Sequence, residues 1–205
     1  MSDSVSVSLV LDLAGVLVFA LSGALLAARR DLDAFGVVIL AIVAGLGGGL
    51  IRDVLLGALP PAALRDERYL LCAVVAGAIG FRFHIVVERL HASIRLLDAL
   101  GLGFFAVAGT FKALDADLGP VSAVLLGLIT AIGGGIIRDL LVAESPVVLR
   151  RDIYAVPALL AAIIVVSAER ADISRITTAI IAVTVAFAVR ALALRYNWQA
   201  PRPRS

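Results

Sequence analysis

One device in this chain limits what it can fold into more than any other. Gly47-Gly48-Gly49-Leu50-Ile51-Arg52-Asp53 lies inside an apolar run from about Phe35 to Leu64. The same pattern returns as Gly133-Gly134-Gly135-Ile136-Ile137-Arg138-Asp139 inside a second apolar run. Glycine inside a helix is less favourable than alanine by about 1 kcal/mol per residue. An Arg-Asp pair one turn later, still within apolar sequence, adds a further penalty. A fold that tolerates this arrangement twice is organised around it.

The surroundings of the two motifs identify the solvent. Of the 205 residues 61% are hydrophobic and 17% charged, far from the balance of a soluble domain. Windows long enough to cross a hydrocarbon core about 30 Å thick recur along the chain. They predict seven membrane-spanning helices: about Leu9–Ala28, Phe35–Leu59, Tyr69–Val87, Ile94–Leu114, a fifth from Gly119-Pro120 to before Pro146, Ile153–Ala168 and Ile176–Leu194. Met1 to Ser8 is polar and lacks the basic region and cleavage site of a secretory signal. Tyr196 and Trp198 read as interfacial anchors before a Pro-Arg-Pro-Arg tail expected to be disordered. Residues 1–205 therefore form a single membrane domain. The arginine excess (Arg29, Arg30, Arg82, Arg89, Arg95, Arg150, Arg151, Arg195, Arg202 and Arg204 against Arg65, Arg68, Lys112, Arg170 and Arg175) predicts an outside N-terminus and a cytoplasmic C-terminus. Cys72 stands alone, and His84 and His91 have no carboxylates at metal-ligand spacing, so no disulfide framework or metal site is expected. A net charge of +2, thinly scattered, gives no support for nucleic-acid binding.

Sliding the sequence by 86 positions superimposes the two motifs and extends without a gap. Asp12 meets Asp98, Gly15 meets Gly101, Phe19 meets Phe105 and Asp31 meets Asp117, while Pro60 meets Pro146 and Arg65-Asp66 meets Arg151-Asp152. Between Leu11–Asp66 and Leu97–Asp152, 21 of 56 positions are identical, beyond what shared apolar composition produces. Three spans per unit, 9–88 and 94–168, force the second unit into the membrane from the opposite side; 176–195 is an added seventh helix. The expectation is an all-α inverted-repeat membrane protein whose second and fifth helices are broken at the glycines and meet near the midplane. Unwound backbone there is tolerable only where it is buried or faces water, as in a permeation path.

Each element also has a plainer reading. The glycine triplets serve close helix packing, Arg52-Asp53 and Arg138-Asp139 form structural ion pairs, Asp12 and Asp98 cap helices, and Lys112 snorkels to the headgroups. Lys112 is the only lysine and faces Leu26 in the repeat, so its charge breaks the symmetry. Asp12, Asp98 and Lys112 are accordingly candidate pore-lining or gating groups. Leucine at Gly48 or Gly134 is expected to fill the constriction and leave assembly intact.

Seven spans, two three-helix units and a doubled Gly-Gly-Gly-x-x-Arg-Asp signature resemble the prokaryotic trimeric intracellular cation (TRIC) channels, over about Leu9 to Leu194. The same sequence family includes proteins described as glycine transporters. The resemblance implies a homotrimer with one pore per protomer, lined by helices one, two, four and five. It also implies passage of potassium in preference to sodium, and kinks at Gly47, Gly48, Gly49, Gly133, Gly134 and Gly135. Animal members carry a lysine-containing lipid-binding motif where this chain has Gly-Leu-Ile-Arg-Asp, so lipid regulation is not implied. Partners are then the bilayer of a bacterial or archaeal cell membrane and monovalent cations, with K+ or Na+ as permeant and no cofactor.

Two transport classes follow. One is a passive cation channel; the other is a secondary carrier for a small zwitterion such as glycine, with the Arg-Asp pairs complementing its charges. An enzyme is not expected, because the chain offers no nucleophile–base pair and no phosphate-cradling loop.

Overall fold

The computed structural model describes residues 2–88, 93–149 and 153–199. It contains α1 (Ser2–Arg29), α2 (Ala34–Leu55), a single turn α3 (Ala62–Arg65), α4 (Glu67–Glu88), α5 (Ser93–Asp115), α6 (Pro120–Leu141), a 3-10 turn at Val147–Leu149, α7 (Ala155–Arg170) and α8 (Arg175–Arg195). Among the described residues five helices are long and apolar enough to cross a membrane: α1, α2, α5, α6 and α8. α7 has only 16 residues, and α4 begins Glu67-Arg68 and carries Arg82 and Glu88 towards its end. Large apolar side chains such as Phe35, Val121 and Ile180 face outward, as lipid contact requires. Arg89, His91, Arg150 to Asp152, Arg202 and Arg204 lie outside the described residues, as does the side chain of His84.

Two expectations are corrected at this level. The first helix does not start at about Leu9, because α1 already begins at Ser2. The glycine triplets do not break their helices either. α2 and α6 are each continuous over 22 residues, with Gly47–Gly49 and Gly133–Gly135 inside them. The physical reason lies across the interface. A Cβ on Gly48 would collide with the backbone oxygen of Thr130, and one on Gly134 with that of Ala44. Gly47 and Gly133 would each place a Cβ against an isoleucine of the other helix, at 3.0 Å from Ile137 and 3.1 Å from Ile51. The glycines thin two intact helices so that their backbones cross in contact, which recovers in packing what they lose in propensity.

α1 and α5 form the centre. α1 packs on α2, α4 and α5, while α5 packs on α6, α7 and α8 as well as α1. Phe19 and Phe105, both buried, stack at 5.5 Å with an interplanar angle of 14°. Gly15 leaves room for the ring of Phe105 and Gly101 for that of Phe19. The two glycine–ring contacts exchange partners across an offset of 86, whereas α8 packs on α5 without a counterpart against α1 of the same extent.

The backbone repeats in the same register. α2 and α6 begin and end 86 residues apart, and the left-handed residues after the preceding helices, Asp31 (φ 54°) and Asp117 (φ 59°), are also paired. Gly57 (φ 68°) and Ala143 (φ 56°) continue the match, as do the turn bonds Ala58 N–H to Asp53 C=O and Glu144 N–H to Asp139 C=O. The register then slips by one. Asp53 accepts from Ala62 N–H and Asp139 from Val147 N–H, an offset of 85. Pro61, not Pro60, is therefore the counterpart of Pro146 by this offset, while the match of Arg65-Asp66 with Arg151-Asp152 falls outside the described residues.

Candidate functional site

The motif charges gather into two clusters, one towards each end of the α1–α5 pair. Asp12 lies well inside α1 and is 1% exposed, so it is not a helix cap; Asp98, inside α5 and buried, is not one either. Arg52 donates from Nη1 to Asp12 Oδ1 at 2.6 Å, from Nη2 to Asp12 Oδ2 at 3.2 Å and from Nε to Asp53 Oδ1 at 2.8 Å. Asp12 Oδ2 also accepts from Tyr69 Oη at 3.0 Å and from Lys112 Nζ at 2.7 Å. The other oxygen of Asp53 accepts from Ala62 N–H at 2.9 Å and so fixes the turn after α2. Lys112 is a specific partner of Asp12, not a residue reaching out to the headgroups.

The second cluster repeats the arginine–aspartate core with different surroundings. Arg138 Nη1 donates to Asp98 Oδ1 at 2.6 Å and to Ser22 Oγ at 2.7 Å; its Nε and Nη2 donate to Asp139 Oδ1 at 2.9 and 2.8 Å. Asp139 Oδ2 accepts from Val147 N–H at 3.0 Å. Tyr154 is buried near Asp98, but unlike Tyr69 its hydroxyl makes no hydrogen bond among the described residues. No lysine is present here: the position equivalent to Lys112 is Leu26. Buried charges persist in an apolar slab only when paired and hydrogen-bonded, and both guanidiniums meet that condition.

Both clusters border open space. A cavity of about 420 Å³ reaches Asp98, Arg138 and Asp139 and is also lined by Leu26, Arg29 and Arg95. A cavity of about 460 Å³ at the other end reaches Asp53 and Lys112 and is lined by Leu59, Pro60 and Arg65. Beside Asp12, Arg52 and Phe105 the free space shrinks to about 10 Å³, too little for a hydrated ion. The stacked phenylalanines and the glycine crossing lie between the two cavities. The third glycines face the charges: a Cβ on Gly135 would sit 2.9 Å from Tyr154 Oη, and one on Gly49 3.6 Å from Arg52 Nη2.

All the motif residues singled out in the sequence thus belong to one of two clusters or to the crossing between them. Tyr69, Tyr154 and Ser22 were missed as cluster members. A signal existed for the tyrosines: they are 85 apart, and a one-residue gap at Pro60-Pro61 brings them into line.

Comparisons with known proteins agree with this repeat. The family model described as "Glycine transporter" matches residues 9–84 and again 95–170. A UPF0126 membrane protein of Streptomyces coelicolor is 47% identical over 204 residues, covering 99% of this chain and 94% of that protein. The UPF0126 inner membrane protein YadS of Escherichia coli is 37% identical over 193 residues, 93% of each chain. The solved structure of the TRIC trimeric intracellular cation channel orthologue from Rhodobacter sphaeroides superimposes with a TM-score of 0.90 at 38% identity, covering 94% of this chain and 99% of that one. With its all-helical membrane fold and twice-matched family model, the chain belongs to the glycine transporter (UPF0126) family and has the fold of the prokaryotic TRIC channels.

Proposed function

We propose that this protein is a potassium-preferring monovalent-cation channel, a homotrimer with one pore per protomer running between α1, α2, α5 and α6. The observation that carries the reading is the antiparallel α1–α5 ladder, which has a buried Arg-carboxylate cluster and a cavity at each end and the glycine crossing of α2 and α6 beside its middle. Carboxylates set against arginines let a cation approach a positive group without a large barrier, and this arrangement favours modest selectivity. The described likeness to trimeric cation channels supports both the function and the trimer. The exchange of contacts across an offset of 86 supports an inverted repeat of two three-helix units, with seven passes in all: α1, α2 and α4, then α5, α6 and α7, then α8. The protein sits in the cell membrane of its host, with the N-terminus outside and the C-terminus in the cytoplasm.

A second reading is a carrier for a small zwitterion. One observation favours it: the cavity at Asp98 also presents Arg29 and Arg95, a pairing that suits an ammonium and a carboxylate on one small molecule. Proteoliposomes loaded with a thallium-sensitive dye separate the two. A channel gives thallium influx that rises linearly with concentration and is indifferent to glycine. Saturable glycine counterflow without thallium entry overturns the channel reading.

A further inference from the structure

α1 and α5 face each other in three rungs. Asp12, Phe19 and Leu26 are spaced by seven along α1; Asp98, Phe105 and Lys112 are spaced by seven along α5. Because the helices run antiparallel, Asp12 meets Lys112, Phe19 meets Phe105, and Leu26 and Asp98 border the same cavity. The outer rungs therefore differ by one positive charge. Asp12 and Asp53 are balanced by Arg52 and Lys112, whereas Asp98 and Asp139 have Arg138 between them and an aliphatic side chain where the ammonium would be.

We propose that the Asp98 rung is a seat for one monovalent cation, and that Lys112 is a tethered cation filling the corresponding seat on Asp12. This rests on the channel reading above and assigns an ion-binding position within it. Three observations converge on it. The first is the internal comparison, since the same carboxylate, arginine and tyrosine set holds a real ammonium group at 2.7 Å in the other half. The second is Tyr154, whose hydroxyl is buried near Asp98 and has no hydrogen-bond partner among the described residues. Access is the third: Asp98 itself lines the cavity of about 420 Å³ beside Leu26, whereas the cavity of about 460 Å³ at the other end reaches Lys112 and Asp53 but not Asp12.

The other charges around the cavity are engaged or peripheral. Arg138 is held by Asp98, Asp139 and Ser22; Arg190 lies 5.0 Å over the Tyr154 ring and donates to the Ile153 carbonyl at 3.2 Å; Glu144 pairs with Arg30. Arg29 and Arg95 line the cavity from the last residue of α1 and the first turn of α5, and Arg95 is exposed. Their positive charge keeps the seat weak, as a path for passing ions requires. The one positive charge by which the two rungs differ matches the charge of a monovalent cation.

Thallium(I), a heavy stand-in for potassium, tests this directly by anomalous diffraction from crystals of the full chain grown with thallium replacing potassium. The expected result is a peak at the Asp98 carboxylate and none at Asp12. Lys112→Met adds a second peak at Asp12, and Leu26→Lys removes the one at Asp98. Should Leu26→Lys fail to assemble, Asp98→Asn gives the same loss while Arg138 keeps Asp139. A wild-type crystal with no peak at Asp98, or a peak that survives Asp98→Asn, overturns the seat. Conductance of the same preparation keeps the two ideas separate. Current without the peak removes the seat and leaves the channel; the peak without current upholds the seat and removes the channel.

Discussion

Neutralising the two central aspartates should have unequal consequences, although the sequence presents them as equivalents. Asp12→Asn leaves Arg52 and Lys112 facing an amide, with Asp53 alone to balance them. Removing one member of a buried ion cluster costs about 3–5 kcal/mol, because the partners keep their desolvation penalty. Asp98→Asn leaves Arg138 still held twice by Asp139 and once by Ser22, with no second cation stranded. Its loss is nearer that of one charge-assisted hydrogen bond, about 1.5–3 kcal/mol. The difference of about 2 kcal/mol corresponds to an apparent melting point lower by roughly 4–8 °C for Asp12→Asn in a chain of this length. Scanning fluorimetry of both variants in one detergent, at one heating rate because membrane proteins unfold irreversibly, reads this difference. Adding Lys112→Met to Asp12→Asn should recover part of the loss, since it removes the stranded ammonium. Equal melting points, or a lower one for Asp98→Asn, would refute the charge accounting.

Other perturbations test the packing. Gly48→Ala and Gly134→Ala push a methyl into a facing backbone oxygen, so each should destabilise the fold by about 1–3 kcal/mol. This also replaces the expectation that leucine there spares assembly: Gly48→Leu and Gly134→Leu should elute as misassembled protein in size-exclusion chromatography. Gly49→Ala meets nothing nearer than 3.6 Å and should be neutral or stabilising by up to about 1 kcal/mol, read as a raised melting point. Ala143 and Gly57 share a left-handed turn position, so Ala143→Gly should stabilise by about 0.5 kcal/mol and Gly57→Ala destabilise by about 1 kcal/mol, opposite shifts in the same assay.

Much of this architecture was legible because the repeat is written in residue identity. Asp12 with Asp98 and Phe19 with Phe105 pointed to one reciprocal core, and the doubled Arg-Asp motif pointed to two charge sites. What misled was local energetics. Glycine triplets read as helix breaks because propensity counts only the helix that holds them; the compensating contact comes from Thr130 and Ala44 on the other helix, far away in sequence. Asp12 read as a cap for a similar reason, since its partners Arg52, Tyr69 and Lys112 lie 40, 57 and 100 residues away. The tyrosines escaped notice because one residue between Ala58 and Ala62 shifts the register, and a gapless comparison hides their match.

Single-channel recording of the purified protein in a planar bilayer, under a potassium chloride gradient, addresses the central claim most directly. Discrete openings whose current reverses near the potassium equilibrium potential are the predicted result. A silent bilayer, beside vesicles from the same preparation that accumulate glycine saturably, would contradict it.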